Sequence, residues 1–276
     1  MLNFVPYTSD ILAHEILALE EQFPFVRVEV IGTSRLGKPL YALCIGHGSI
    51  FLGYNAAHHA NEWITAPLLM QFLWEYCEKP KLDVFTLYAI PMVNPDGVNG
   101  VINHKYPSDW KANACGVDLN VNYPASWQLA RENKFAQGFT QPGPRGYVGA
   151  VPLSEPESAA MAAYTRLRDF HFTLSLHTQG EEIYHQYRHF APPGAKKIAA
   201  EMEKVSGYLC VDVPDESADG GYRDWFIETF NRPGFTIECG LGENPLPITD
   251  FPGIYERVRK ILWVPFINPP AIIPAE

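Results

Sequence analysis

Three short stretches, His59-Ala60-Asn61-Glu62, Ser175-Leu176-His177 and Thr236-Ile237-Glu238, supply two imidazoles and two carboxylates in the order a hydrolytic zinc site requires. Zinc held by two histidines and one carboxylate keeps a fourth position open for water, and a further carboxylate beside that water serves as general base. On that chemistry His59, Glu62 and His177 are the metal ligands and Glu238 is the base. Each residue taken alone also has a plainer account. His59 would cap a helix, Glu62 would be an ordinary first-turn acid, and His177 would be a hydrogen-bonded histidine at a strand end. Glu238 is the most telling of the four. Between Ile237 and Cys239 in an apolar strand, a charged carboxylate costs several kcal/mol to bury unless a cation pairs with it or its pKa rises. Zinc answers that cost; a buried pair with Arg223 is the alternative. Asp118, in Gly116-Val117-Asp118-Leu119-Asn120, is suited either to accept the second imidazole proton of a ligating histidine or to cap its loop.

These residues need elements to hold them. Asp10 to Gln22 carries Ile11, Leu12, Ile16, Leu17 and Leu19 at helical spacing, with Pro24 as a stop. Strands are predicted over Val26 to Ile31, Leu40 to Ile45 and Ile50 to Tyr54, the last leading into His59. Glu62 to Cys77 reads as a buried helix and Val84 to Ile90 as a central strand. His59 and Glu62 thus fall where a strand gives way to a helix, facing the crevice at the strand ends where open α/β sheets place their sites. From Met92 to Val151 the pattern breaks into Asn, Pro, Gly and Asp clusters, a length that points to functional loops. Ser154-Glu155-Pro156-Glu157 has the spacing of a capping box and predicts a helix to about Asp169. Phe172 to His177 is a strand, Gly194 to Gly207 a helix, Tyr208 to Val213 a strand, Tyr222 to Phe230 a short helix and Phe235 to Cys239 a strand. Pro252 to Phe266 closes the fold as a helix, followed by an apolar, proline-bearing strap to Glu276.

The bulk numbers narrow the setting. With 276 residues and 47% hydrophobic content, the chain is expected to form a single catalytic α/β domain over residues 1–276. A formal charge of −10 and a pI near 5.4, without any basic patch, argue against nucleic acid or an anionic membrane as partner. A soluble monomer or small oligomer is enough. The five cysteines are an odd number without framework or metal-ligand spacing and read as reduced. The first residues lack a basic and an apolar leader segment, and no 18 uncharged apolar residues run together, so the chain as given is expected to be cytoplasmic.

Taken together, the segments resemble the zinc metallocarboxypeptidase family of the pancreatic carboxypeptidase type over nearly the whole chain. Ile31-Gly32-Thr33-Ser34, Gly37-Lys38-Pro39, His59-Ala60-Asn61-Glu62-Trp63, Asn94-Pro95-Asp96-Gly97, Gly116-Val117-Asp118-Leu119-Asn120, Ser175-Leu176-His177 and Thr236-Ile237-Glu238 all fall at the family's places. The resemblance implies a mixed sheet of about eight strands between helices, one zinc on His59, Glu62 and His177, and Glu238 as the base that activates water. Lys111 stands where the family places the arginine that polarises the scissile carbonyl, so a cation is kept for the oxyanion.

Departures from the pattern narrow the substrate. Val121 occupies the position of the arginine with which family exopeptidases clamp a terminal carboxylate, and it cannot make charge-assisted contacts. Asn61 replaces a cation often found beside the zinc ligands. Gly220-Gly221-Tyr222-Arg223-Asp224-Trp225 resembles the floor of the pocket for the departing residue, with Arg223 at the position that sets side-chain preference and asks for an acidic group. These features look like the bacterial branch, including murein peptide amidases, that cleaves the amide between γ-D-glutamate and meso-diaminopimelate in peptidoglycan peptides. His59-Ala60-Asn61-Glu62-Trp63, Trp110-Lys111-Ala112-Asn113, Leu176 to Glu182 and Arg232-Pro233-Gly234-Phe235-Thr236 look like the same branch.

On this reading Asn120 offers a hydrogen bond to the substrate. The family's mobile lid tyrosine has no counterpart at Glu216-Ser217-Ala218-Asp219, and Tyr222 is the nearest phenol, expected either to substitute as a binding residue or merely to pack. Two other functions remain open. One is a carboxypeptidase removing acidic C-terminal residues from ordinary peptides, and the other is a non-catalytic binder of cell-wall peptides.

Overall fold

The computed structural model describes residues 5–213 and 218–270. Met1 to Phe4, the stretch Pro214 to Ser217, which takes in Glu216 and Ser217 of the expected lid position, and the proline-bearing tail from residue 271 lie outside the described residues. Eight strands form one mixed sheet in the order β1-β2-β4-β3-β5-β8-β6-β7. An antiparallel hairpin, β1 (Val26–Thr33) and β2 (Pro39–Gly46), lies at one edge. The centre is parallel: β4 (Phe85–Ile90), β3 (Ile50–Ala56), β5 (Phe172–His177) and β8 (Gly234–Glu238). The far edge is short, with β6 (Glu182–Tyr184) antiparallel to β8 and parallel to β7 (Leu209–Cys210). Strands β4 and β5 are buried at every residue, as parallel strands covered on both faces must be.

Helices cover the two faces. Leu12 and Ile16 of α1 (Ser9–Gln22), Leu68 and Leu69 of α2 (Thr65–Glu78), Ile198 of α6 (Ala195–Ser206) and Ile261 of α8 (Phe251–Ile267) join one core. Met161 and Tyr164 of α5 (Pro156–Arg168) and Trp225 and Phe226 of α7 (Tyr222–Phe230) join the other. Gly53 of β3 makes this close fit possible on the second face, because a Cβ there would meet the Phe170 ring at 2.4 Å. Between β3 and β5 the strand order changes direction, so the carboxyl ends of β3, β5 and β8 open into one crevice. No helix among the described residues is long and apolar enough to cross a membrane.

Four local expectations are corrected. The stretch from Met92 to Val151 contains two helices, α3 (Pro95–Ile102) and α4 (Trp127–Ala136). Gly97 and Gly100 hide α3 from propensity, but Asn94 caps it by accepting from Gly97 N, and Pro95 starts it. Helix α4 buries only Ala130, so it leaves little apolar signature. The capping box at Ser154 does not form: α5 starts at Pro156 without a side-chain cap, and the Ser154 hydroxyl bonds Glu155 and Asn122 instead. The strand expected over Tyr208 to Val213 is reduced to Leu209–Cys210, and β6 lies where no strand was predicted.

Candidate active site

At the end of β3 the backbone turns through Ala57 at positive φ, and His59 begins a 3-10 turn over Ala60–Glu62 that leads into α2. That turn is pinned from three sides. Ala60 N donates to Lys111 O, the Asn94 amide donates to His58 O and Ala112 O, and Thr65 Oγ1 donates to Glu62 O. His59 and Glu62 are therefore set by the exit of a buried strand rather than by a free loop. His177 ends β5, with Thr178 N donating to Glu62 Oε2 at 3.2 Å.

The three expected ligands meet. His59 Nδ1 lies 2.9 Å from Glu62 Oε1, His177 Nδ1 lies 2.9 Å from Glu62 Oε2, and the two Nδ1 atoms are 3.2 Å apart. One ligand atom from each residue lies within 4.8 Å of the others, and all three residues are buried. Two imidazole nitrogens facing each other beside a carboxylate share too few protons to satisfy every pair, whereas one cation among them satisfies all. Tetrahedral zinc with ligand bonds near ~2.0–2.1 Å sets its donors about 3.3 Å apart, close to the observed spacing. The donor set fits the metal.

Around the trio, charge is balanced residue by residue. His59 Nε2 faces Asp118 Oδ1 at 3.2 Å, the second imidazole partner the sequence suggested. Asp118 is fixed in turn by accepting from Asn120 N and Gly146 N. Burial opposes charge on His59, but Glu62 and Asp118 outweigh it and hold the imidazolium up to about 9. Burial likewise works against the Asp118 and Glu62 carboxylates, and His59 heads the neighbours that keep both below the ordinary carboxylate range. His177, with burial dominant, is pushed down. Lys111 Nζ pairs with Glu62 Oε1 at 2.9 Å, and Glu62 keeps its ammonium charged against burial. The lysine side chain is 26% exposed, so its ammonium is reachable from solvent while touching a ligand.

Glu238 ends β8 and pairs in register with His177 on one side and with Glu182 on the other. Burial, and then the Glu62 charge, push its carboxyl up to about 8. It lines a cleft of about 330 Å³ with Asn120, Tyr184, Asp219, Gly221, Arg223, Asp224 and Thr236. Arg223 does not pair with Glu238. Its Nε and Nη2 both reach Asp224 Oδ1, with Nε at 3.0 Å, and Nη1 has no protein partner among the described residues. Asn120 reaches the cleft too, its side-chain oxygen accepting from Tyr222 N at 3.2 Å.

Tyr222 is the correction. Its hydroxyl is 2.8 Å from Thr165 Oγ1 and its ring packs against Tyr123, Trp225 and His58 in the core, so it does not face the cleft as a binding phenol. The phenol that lines the cleft is Tyr184, on the unpredicted strand β6. Alternation in Glu182-Ile183-Tyr184 is the only sequence signal that points to it. His58, fully buried and stacked at 5.8 Å on His177, is a further neighbour of the site that no sequence pattern marks, although it directly precedes His59.

Comparison with known proteins identifies the family and the fold. Residues 13–260 match the profile of a family described as zinc carboxypeptidase. The chain is 41% identical to a gamma-D-glutamyl-L-diamino acid endopeptidase 1 of Lysinibacillus sphaericus, covering 92% of this chain and 71% of that one. Carboxypeptidase A from Helicoverpa armigera superposes with a TM-score of 0.80 at 19% identity, covering 95% of this chain and 73% of that one. A murein-tripeptide amidase from Escherichia coli O157 superposes with a TM-score of 0.58 at 22% identity, covering 85% of this chain and 90% of that one. The two solved structures share the fold.

Proposed function

Because the chain belongs to the zinc carboxypeptidase family, and is a zinc metallopeptidase, we propose that it hydrolyses the amide between γ-D-glutamate and meso-diaminopimelate in peptidoglycan-derived peptides, acting as one catalytic domain. The observation that carries this reading is Arg223, a buried cation on the wall of the cleft that Glu238 lines, with an Nη1 that has no partner among the described residues. A second carboxylate on the departing residue answers that cation, and meso-diaminopimelate carries one. Val121, where an exopeptidase keeps its clamp, is buried and apolar, so the cleft asks for no terminal carboxylate there. The activity for which the Lysinibacillus relative is named supports the same bond class.

His59 Nδ1, His177 Nδ1 and the Glu62 carboxylate would hold the metal. Zinc bound there supplies Lewis acidity, which acidifies a water and polarises the scissile carbonyl. Glu238 takes the proton from the attacking water and returns it to the departing amine. Burial and the Glu62 charge raise the Glu238 carboxyl in the metal-free chain, and a dication held by Glu62 would offset that rise and favour the carboxylate a base requires. The Lys111 ammonium stabilises the oxyanion. Arg223 pairs with a carboxylate of the departing residue, and Asn120 offers it a hydrogen bond.

Zinc-loaded protein incubated with L-Ala-γ-D-Glu-meso-diaminopimelate is expected to release the free diamino acid, and to do so even when the substrate's C-terminal carboxylate is blocked as an amide. Release of acidic residues from ordinary peptides, lost on amidation, would identify a carboxypeptidase instead. No turnover of either, with zinc bound, would leave the binder.

A further inference from the structure

Strand β6 places a second device on the wall that carries Arg223. Alternation along Glu182–Tyr184 sends Glu182 and Tyr184 to one face of the sheet, and the antiparallel register sets Glu182 opposite Glu238 and Tyr184 opposite Thr236. Side chains so opposed stand on the same face, about 4.5–5.5 Å apart at Cβ. Tyr184, Thr236 and Glu238 all line the cleft. The Tyr184 hydroxyl donates to Glu182 Oε2 at 2.5 Å. That bond uses the only phenol proton, so the phenol oxygen is left as an acceptor, and Glu182 Oε1 has no donor among the described residues. The Arg223 guanidinium carbon stands 5.5 Å from the Tyr184 ring centroid.

Acceptors and a donor thus adjoin at the Tyr184 side of the cleft, where Glu182 is joined to the lining through its bond with Tyr184. An incoming group that is only anionic would answer Arg223 and leave Glu182 beside Glu238 without a counter-charge. One that is only cationic would answer Glu182 but leave Arg223 Nη1 without an acceptor, since Asp224 takes only Nε and Nη2. A group bearing an ammonium and a carboxylate on one carbon answers both, and a site built to bond such a group discriminates strongly against analogues lacking either half.

We propose that Glu182 and Tyr184 form the ammonium-receiving half of the cleft and, with Arg223, select a departing residue whose side chain ends in a zwitterion. The inference rests on the reading above that this cleft receives a diamino acid, and it names the atoms that distinguish that residue.

The test compares L-Ala-γ-D-Glu peptides ending in meso-diaminopimelate, in 2-aminopimelate, which lacks the distal amine, and in L-lysine, which lacks the distal carboxylate. Zinc-loaded wild type, Glu182→Gln and Tyr184→Phe are assayed for kcat/KM on each. Wild type is expected to favour diaminopimelate over 2-aminopimelate by roughly 10–100-fold. In Glu182→Gln that ratio falls to within about 3-fold of unity, through loss with the diaminopimelate peptide. Tyr184→Phe, which keeps the ring under Arg223, gives an intermediate ratio. The preference for diaminopimelate over lysine persists in both variants because it depends on Arg223.

A wild-type ratio near one overturns the proposal without any variant having to fold. So does an unchanged ratio in Glu182→Gln, or an equal fall on all three peptides. Each of those results, with the diaminopimelate peptide still cleaved, leaves the proposed function standing. Wild type that cleaves none of the three overturns both.

Discussion

At the expected metal corner, His59, Glu62, His177, Asp118 and Lys111 answer one another's charges, with Glu62 alone approached by both histidines, Lys111 and Thr178 N. At the cleft wall, Glu238, Tyr184 and Arg223, together with Glu182 bonded to Tyr184, leave polar atoms without protein partners among the described residues, notably Glu182 Oε1 and Arg223 Nη1. The first wall hangs from the ends of two buried parallel strands. The second is built from the end of β8, the three-residue strand β6 beside it and the first turn of α7. The difference separates the tasks. A self-balanced corner can be shaped for one ion before any substrate arrives, while unanswered donors and acceptors are what a substrate completes.

That division is broken most severely by His177→Ala. Removing one of three ligands is expected to abolish both zinc retention and hydrolysis, with zinc content falling from one per chain to near zero by atomic absorption after dialysis. Glu238→Gln separates the walls. It should keep its zinc while kcat falls by roughly 10²–10⁴-fold, the ordinary contribution of a positioned base. Full turnover in this variant would remove Glu238 from the reaction. Lys111→Met is expected to lower kcat by about 10²–10³-fold, with zinc content again held, if its ammonium stabilises developing charge. Asp118→Asn weakens only the support of a ligand, and a rise of about 10–100-fold in zinc dissociation constant is expected from competition with a chelating dye.

The smallest effect is on stability. A carboxyl raised from 4.5 to about 8, as in Glu238, favours the protonated folded state, so its contribution is lost as pH rises through that interval. His59, raised from 6.5 to about 9, contributes stability that is complete below 6.5 and lost by about 9. Both signs agree: metal-free protein should lose Tm between pH 6.5 and 9, and Glu238→Gln should lose less. Saturation with zinc should flatten the profile, since a cation then replaces the proton held among these groups. A flat metal-free profile would contradict the shifts.

The two walls were also unequally legible in the sequence. His59 and Glu62 sit in one motif, and a strand-to-helix exit can be read from Ile50 to Cys77, so their convergence followed from local pattern. His177 and Glu238 each terminate an apolar run whose length already announces a central strand. Asp118 was legible only by its chemistry, since nothing local says which imidazole it meets. On the other wall the signal fades. Three residues, Glu182-Ile183-Tyr184, are too few to read as a strand, and their place beside β8 comes from long-range pairing. Tyr222 was singled out because it was the nearest phenol in sequence; in space the Thr165 hydroxyl and the Trp225 ring claim it for the core. Helices α3 and α4 escaped for a related reason. One is made by an asparagine cap on a glycine-bearing stretch and the other buries a single alanine, so neither carries the apolar spacing that reveals α1, α2 or α8.

The central claim, one ion held by His59, Glu62 and His177 beside an unligated Glu238, is tested most directly by anomalous diffraction at the zinc edge from zinc-soaked crystals. The account predicts one strong peak within about 2.0–2.2 Å of His59 Nδ1, His177 Nδ1 and a Glu62 oxygen, with the Glu238 carboxylate near it but outside bonding distance. A peak ligated through Glu238, a peak elsewhere on the chain, or no peak at saturating zinc would contradict it.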